Sequence, residues 1–534
     1  MKIVLLYFHT IIHLRPIQIY YRIFYKIRAI FRNIIGFKYP KFIPTQSYLI
    51  ILKPSIPSNQ SYFPEENRFQ FLNQSQVFKP NQIHWNDEKT FGKLWAYNLN
   101  YFEFLNQEDL TQTQGVSLMR EYMKYPNLKT GLEPYPTSLR NINWIKFLNK
   151  YQIQNPEIDG FLMAQYLRLL DNLEYHLMGN HLLENAFSLL FGAYYFRNNQ
   201  LFKTANKILK TELLEQFLDD GGHFERSPMY HQIMLFRILD CLNLVRNNAK
   251  DVIPTKEGTE EYILTIYTQK MCNFLQIITF KNGDIPLVND AARNIAPTTE
   301  QLFYYANQLN IKGSEIELSQ SGYRKFDKSD YELLVDVGNI TADYQPGHAH
   351  AGTLSFVLYV NQKPFIVDTG TSTYENNKIR QYERSTSAHN TVQIDDFEQS
   401  EMWSSFRVGR RAKTTILSEN EREIVASHNG YKRHGIIHKR TFIADNQCIT
   451  IKDEIIGTTK YPQKAYLHFH QDIGLEIEGN IIKTNFGNII FEDLISLSES
   501  DCFISEAFNK RISSKMITLF FDEKLTTVID FSPP

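Results

Sequence analysis

Cysteine is scarce in this chain of 534 residues, and the four present, Cys241, Cys272, Cys448 and Cys502, lie far apart with no Cys-x-x-Cys spacing. That excludes a disulfide framework and a cysteine metal knuckle, and leaves four buried thiols as the reading. Acidic residues are missing before Glu65, a stretch that holds nine Lys or Arg. The rest of the chain is therefore mildly acidic although the net charge is only −1, which argues against nucleic acid as a partner, since phosphate binding needs a basic face on the folded domain. Long apolar runs are also missing. No uninterrupted stretch of 18 apolar residues occurs, so no transmembrane helix is expected. The start, MKIVLLYFHTIIHLRP, has a basic residue and an apolar run, but His9, His13 and Arg15 interrupt it and no small-residue cleavage site follows. A secretory signal is not expected there, and the expected location is cytoplasmic.

What is present is an ordinary globular composition, 43% hydrophobic and 22% charged, in a chain too long for one compact core. Aromatic content is high at 14%; this suits a carbohydrate cleft where sugars stack on rings, and suits a large helical core equally well. From about Trp95 to Asn310 apolar residues recur at three- and four-residue spacing, as in FLMAQYLRLLDNLEYHLM and ENAFSLLFGAYYFRN. From about Tyr331 the period changes to two, in YELLVDVG, TLSFVLYV, KPFIVDTG, QCITIKDEI and MITLFF. Helices followed by strands predict separate helical and β domains. The expected division is a basic aromatic leader over residues 1–60, a helical domain over 61–325 and an antiparallel β domain over 326–534. Within the leader, Arg22, Lys26, Arg28 and Arg32 stand among Ile, Tyr and Phe. Residues 1–38 are expected either to lie on a membrane surface as a basic amphipathic helix or to pack on the acidic body.

The stretch from Tyr344 to Asn390 gathers three histidines and an aspartate into β-rich sequence. His348 and His350 lie two apart ahead of the run Leu354 to Val360, so both imidazoles share one face if the strand starts that early. Asp368 ends the next apolar run and His389 follows a loop rich in Ser and Thr. Two imidazoles and a carboxylate converging from neighbouring strands suit a tetrahedral Zn²⁺; taken singly, each is equally a polar residue at a strand end.

HAHAGTLSF, VDTGTSTYE, RSTSAHNTV and WSSFRVGRRA resemble the C-terminal half of the heparinase II/III family of polysaccharide lyases. LWAYNLNYFEFL, EPYPTSLRNINW, GNHLLENAFSLLFGAYYF and DGGHFERSPMYHQ stand in the order of that family's N-terminal half, so the resemblance runs from about Trp95 to Arg440. It implies an α+β multidomain fold, an incomplete (α/α) toroid followed by an antiparallel β-sandwich, and cleavage of an acidic, uronate-containing polysaccharide by β-elimination. One departure is Gly352, where relatives commonly carry Asp, and it puts the local support of the histidine pair in question.

Elimination from a uronate needs a donor that neutralises the carboxylate, a base for the C5 proton and an acid for the leaving oxygen. By resemblance, Asn180 neutralises the carboxylate, and Tyr230 and His348 share the proton transfers. Read locally, Asn180 is equally a helix N-cap and Tyr230 a packing residue. His181, His231, Tyr374, Arg384 and Arg407 are expected to line the substrate cleft, with Glu133, Tyr135 and Arg140 along the groove. The resemblance assigns His350, Asp368 and His389 to one zinc ion of structural role. The alternative is a glycan-binding, assembly or glycoside-hydrolysing protein of a surface-polysaccharide system that keeps the fold without the lyase reaction. Oligomeric state, the polymer and its uronate epimer stay open.

Overall fold

The computed structural model describes residues 2–125, 128–248, 259–313, 316–340, 342–458 and 460–531. Its helical half runs from Lys93–Tyr101 through Pro134–Lys150, Pro156–Asp171, Gly179–Phe196, Asn199–Gln216, Pro228–Asn248 and Thr259–Ile278 to Thr299–Gln308. Local chemistry sets these boundaries. Pro134 and Pro156 occupy first helical turns, where a missing N–H costs nothing. Asn155 and Asn198 accept from the first free backbone N–H groups of their helices, and Thr298 with Gln301 forms a capping box. The helix Gly179–Phe196 is apolar on nearly every side and buried along nearly its whole length, as a central helix must be. Gly192 lets it approach closely, since a Cβ there would fall 2.5 Å from the Tyr166 ring. Successive antiparallel helices pack around one core that includes Trp85, Trp95, Trp144 and Phe187, giving the incomplete (α/α) toroid.

The β half begins with a four-stranded antiparallel meander, Tyr323–Asp327, Tyr331–Asp336, Phe356–Val360 and Lys363–Ile366. A ten-stranded antiparallel sheet faces it, built around the long hairpin of Gly487–Ala507 and Lys510–Asp530. One apolar cluster joins the two sheets, with Leu333, Val335 and Leu358 from the first and Phe442, Ile451, Ile517 and Leu519 from the second. Alternation along Cys448–Ile456 reads buried on every second residue, the pattern of a strand with one face on a sandwich core. The toroid and sandwich described here match the fold expected from the resemblance. The four cysteines are free, three of them buried and Cys448 half-buried.

The two halves meet where the loop after Ile278 touches the loops before Phe356 and the end of the strand Gly487–Ala507. Asp290 N–H donates to the His348 carbonyl at 3.1 Å, and Arg293 N–H donates to the Glu506 carbonyl at 2.7 Å.

The described part of the leader, residues 2–60, packs on the body. Helix α1 (Lys2–Ile11) and helix α2 (Pro16–Ile34) meet at a bend of 110°. The Thr10 hydroxyl donates to the Val408 carbonyl at 3.0 Å and accepts from Trp403 Nε1 at 3.1 Å. Arg28 and Arg32 both pair with Asp171, and Ile50 belongs to the helical core. Arg28 and Arg32 thus point at the protein, and the side of α2 that carries them packs on the body.

Candidate active site

The cleft at the junction of toroid and sandwich has a volume of about 1240 Å³, and Asn180, His181, Tyr230, His348, Tyr374 and Arg407 all line it. Asn180 stands in the first turn of Gly179–Phe196, after two residues with positive φ, Met178 at 64° and Gly179 at 59°. That turn brings Asn180 under Glu225. The Asn180 side-chain amide donates to both Glu225 oxygens at 2.9 and 2.8 Å, and its backbone N–H donates to Oε1 at 3.1 Å. Glu225 Oε2 also lies 3.5 Å from His348 Nε2. The buried Glu225 carboxylate thus sits between the amide and the imidazole and fixes both.

Tyr230 stands in the first turn of Pro228–Asn248, where Ser227 Oγ accepts its backbone N–H at 3.3 Å. Its ring stacks on the His348 imidazole, centroids 4.0 Å apart, and its hydroxyl lies 3.4 Å from that of Tyr374. Burial raises the Tyr230 phenol above its ordinary value, and the Asp290 and Glu225 carboxylates add to this. The resting phenol therefore carries its proton, ready to donate.

His348 and His350 lie in a loop, since the strand begins only at Phe356. The two are tied to one carboxylate, which divides them. Asp290 Oδ2 is 2.9 Å from His348 Nδ1, and Asp290 Oδ1 is 2.9 Å from His350 Nε2. Arg380 forms a two-pronged pair with the same carboxylate. Burial alone would raise the Asp290 carboxyl; the Arg380 guanidinium and the two imidazoles hold it well below the usual range. Asn289 adds a third tie by accepting the His350 backbone N–H at 3.0 Å. His348 then opens on the cleft while His350 stays beneath it, with burial pushing its imidazole down to about 4. The support placed in question by Gly352 comes from Asp290. A Cβ at Gly352 would fall 3.1 Å from His389 Cγ and 3.3 Å from Ser355 Oγ.

Around the cleft, His181 Nδ1 lies 3.0 Å from Glu174 and its ring 4.5 Å from that of Tyr135. Burial works against its charge, but the Glu174 carboxylate raises the imidazole above its ordinary value. Arg407 is exposed and stacks over Trp403 and Tyr7. Four residues expected in the cleft or along its groove, His231, Arg384, Arg140 and Glu133, do not line it. His231 is buried with Nε2 3.0 Å from the Met271 carbonyl, and burial pushes it down to about 3. Arg384 is fully buried and donates to the carbonyls of Ala349, Ser404 and Ser405. Arg140 is buried against the Gly131 carbonyl at 2.6 Å. Glu133 pairs with Lys93 and accepts from Tyr97.

His389 Nδ1 lies 2.6 Å from Asp368 Oδ2, and the His350 and His389 rings are 5.4 Å apart between centroids. Two ring nitrogens here, His350 Nδ1 and His389 Nε2, are buried without a hydrogen-bond partner. Among the described residues no three His, Cys, Asp or Glu side chains are gathered as a metal cage; the donors stand as neighbours in pairs. The donor set itself fits zinc, and Asp290 on His350 Nε2 is the kind of outer partner that leaves the other nitrogen free as a ligand.

Sequence reasoning missed Glu225, Asp290 and Arg380. Glu225 sits inside DGGHFERSPMYHQ, where Tyr230 drew the reading. Asp290 carried a signal of its own, one acid in the otherwise uncharged run Pro286–Ala292, since a charge in such a setting is rarely buried unless paired. Arg380 is reached only through the fold.

Two consecutive family models match the chain, heparinase II/III N-terminus over residues 137–311 and heparinase II/III-like, C-terminal over 312–526. This chain belongs to the heparinase II/III-like family. A heparin-sulfate lyase of Bacteroides stercoris is 26% identical over 326 residues, 55% of this chain and 46% of that protein. A heparin-sulfate lyase of Pedobacter heparinus is 26% identical over 282 residues, 47% of this chain and 39% of that one. The matches thus span less than half the length of these relatives. Among solved structures, heparinase III superimposes with a TM-score of 0.66 at 16% identity, covering 89% of this chain and 83% of that one. The heparan sulfate lyase HepC from Pedobacter heparinus gives 0.53 at 15% identity, covering 88% and 82%. These likenesses establish a common fold.

Proposed function

We propose that this chain is a polysaccharide lyase that cleaves an acidic, uronate-containing polysaccharide by β-elimination. The observation that carries the reading is the stacked pair of Tyr230 and His348 in one cleft with Asn180. A phenol and an imidazole in contact supply an acid and a base on the same reacting sugar, and positioned proton transfer is worth roughly 10²–10⁴-fold. Asn180 supplies the neutral donor for the uronate carboxylate, and Glu225 orients it. Which of Tyr230 and His348 takes the C5 proton depends on whether that proton and the leaving oxygen lie on one side of the ring. Six cations, Arg22, Lys93, Lys146, Arg237, Arg293 and Arg407, line the cleft; Lys93, Lys146, Arg237 and Arg293 are paired with carboxylates, which leaves Arg22 and Arg407 as the ones best placed to meet an anionic chain. Tyr97, Tyr101, Tyr135 and Phe406 offer ring faces for the sugars.

Zinc belongs to the proposal, with His350, Asp368 and His389 as its ligands. The two unpartnered buried nitrogens support it. When bound, the ion would hold the loop beneath His348 and take no part in proton transfer. Elemental analysis of the purified protein tests it, and protein with full activity and no metal would reject it.

A second reading, a glycan-binding or hydrolytic protein, is favoured by the engagement of the Asn180 amide with Glu225, which a substrate carboxylate would have to displace. Ultraviolet absorbance separates the two, because elimination creates an unsaturated uronate conjugated with its carboxylate. Purified protein incubated with a panel of acidic polysaccharides should generate that absorbance. Cleavage seen by mass without any absorbance would replace the lyase reading with hydrolysis.

A further inference from the structure

We propose that α1 and α2 form a docking face for an anionic lipid bilayer, lying along its surface. The polarity of α2 is inverted relative to an ordinary surface helix. Gln18, Tyr21, Tyr25, Arg28 and Arg32, spaced three and four apart, face the protein. Gln18 is buried and donates to the Leu177 carbonyl at 3.1 Å, Tyr21 stacks on Tyr175, and Arg28 and Arg32 pair with Asp171. The opposite stripe, Tyr20, Ile23, Ile27, Ile30, Phe31 and Ile34, faces out with exposures from 54% to 76%. Helix α1 continues the surface with Ile3, Val4, Phe8, Ile11 and Ile12, each at least half exposed. An apolar face this continuous marks a binding surface on a folded protein. It is held outward by the polar ties on the other side of α2, so it cannot be buried by rotating the helix in place.

Charge decides the occupant. Residues 1–64 carry no acid, and Lys26, Lys38 and Lys41 are exposed, their ammonium groups without a partner among the described residues. A second copy would present the same cations to themselves, whereas anionic headgroups complement them. Among the described residues no single helix is long and apolar enough to cross a membrane, and the polar ties of α2 to the body keep one side of it on the protein, the arrangement of a helix that lies along a surface. The site and the face adjoin, because Tyr7, Thr10, Ile11, Leu14 and Arg22 also line the cleft. The docking stands apart from the lyase reading, and its test uses lipid alone.

The test is flotation of the full chain with vesicles of phosphatidylethanolamine and phosphatidylglycerol, beside vesicles of phosphatidylcholine. The protein should float with the anionic vesicles and much less with the neutral ones. The triple variant Ile23→Glu, Ile27→Glu, Phe31→Glu alters only outward side chains and should keep its thermal midpoint while losing at least ~10-fold in partitioning. Lys26→Glu with Lys38→Glu and Lys41→Glu should lose a similar factor on anionic vesicles alone. Failure of the native chain to float, or flotation unchanged by the first variant, overturns the proposal. A native dimer in solution that the first variant splits into monomers would assign the face to a second copy instead.

Discussion

Two buried aspartates in this molecule are built alike and serve different ends. Asp290 is bonded by Arg380 and by His348 and His350; Asp453 is bonded by Arg440 at 2.7 and 3.0 Å and by His438 Nε2 at 2.6 Å. Arg440 and Asp453 are direct partners across adjacent strands of the large sheet, and the chain of contacts continues inward to His428. Every member of that cluster is buried, so its polar groups satisfy one another and hold the sandwich in register. Asp290 lies in a loop between the two halves, and one of its imidazoles opens on the cleft under Tyr230. The same chemistry is closed off in one place, and in the other leaves one partner at the cleft, where the proposed reaction would use it as acid or base. Location relative to the cleft makes the difference, and pKa shifts alone would not distinguish the two.

The largest effect separating them should come from truncating each aspartate. Asp290→Ala leaves the Arg380 guanidinium buried without its partner, and losing one member of a buried pair costs about 3–5 kcal/mol. It also frees His348 and His350, so activity of the molecules that remain folded should fall with stability. Asp453→Ala should cost a similar amount of stability, with the activity per folded molecule unchanged. Denaturant midpoints beside turnover on a confirmed substrate would show this, and equal retention of turnover in both variants would remove Asp290 from the site.

Next in size is Tyr230→Phe. It deletes one hydroxyl, which lies 3.4 Å from that of Tyr374. The expected result is a fall in kcat of at least ~10²-fold, worth about 2.7 kcal/mol of barrier, with stability nearly unchanged. His348→Ala should match it in rate. Full turnover in both would reject the proton-transfer roles and favour a binding protein.

The sequence shows the large features because periodicity reports burial. The change from helical spacing to alternation, between Asn310 and Tyr331, falls where the last helix of the toroid gives way to the first strand of the sandwich at Tyr323. Asn180, Tyr230 and His348 were legible through long motifs, and the cleft does bring them together. His231, beside Tyr230, and Arg384, in the motif of His389, come from equally long motifs yet point into the interior, because neighbours in sequence on a helix or turn face different ways. Glu225 and Asp290 were hidden for the opposite reason: their partners are distant in sequence, with 45 residues between Asn180 and Glu225 and 90 between Asp290 and Arg380. In α2 the cations were legible and their direction was not, since contacts across the interface, with Asp171, Tyr175 and the Leu177 carbonyl, decide which face turns inward.

The smallest effect concerns acid. Burial alone would raise the Asp453 carboxyl, but Arg440 and His438 hold it down to about 2 from 3.8. A carboxyl depressed by folding contributes stability that is fully present above its unfolded value and is lost as pH falls toward its folded one. The contribution of this group is therefore intact at pH 5 and above. It declines below about 4 and is gone below about 2, for roughly 2 kcal/mol in all. Asp453→Asn removes the titrating group, so the stability gap between it and the native chain should be constant from pH 7 to 5 and narrow from pH 4 downward. Urea midpoints of both proteins across that range measure it. A gap that stays constant to pH 3 would mean that Asp453 is held by packing and neutral hydrogen bonds, without the charge pairing on which its comparison with Asp290 rests.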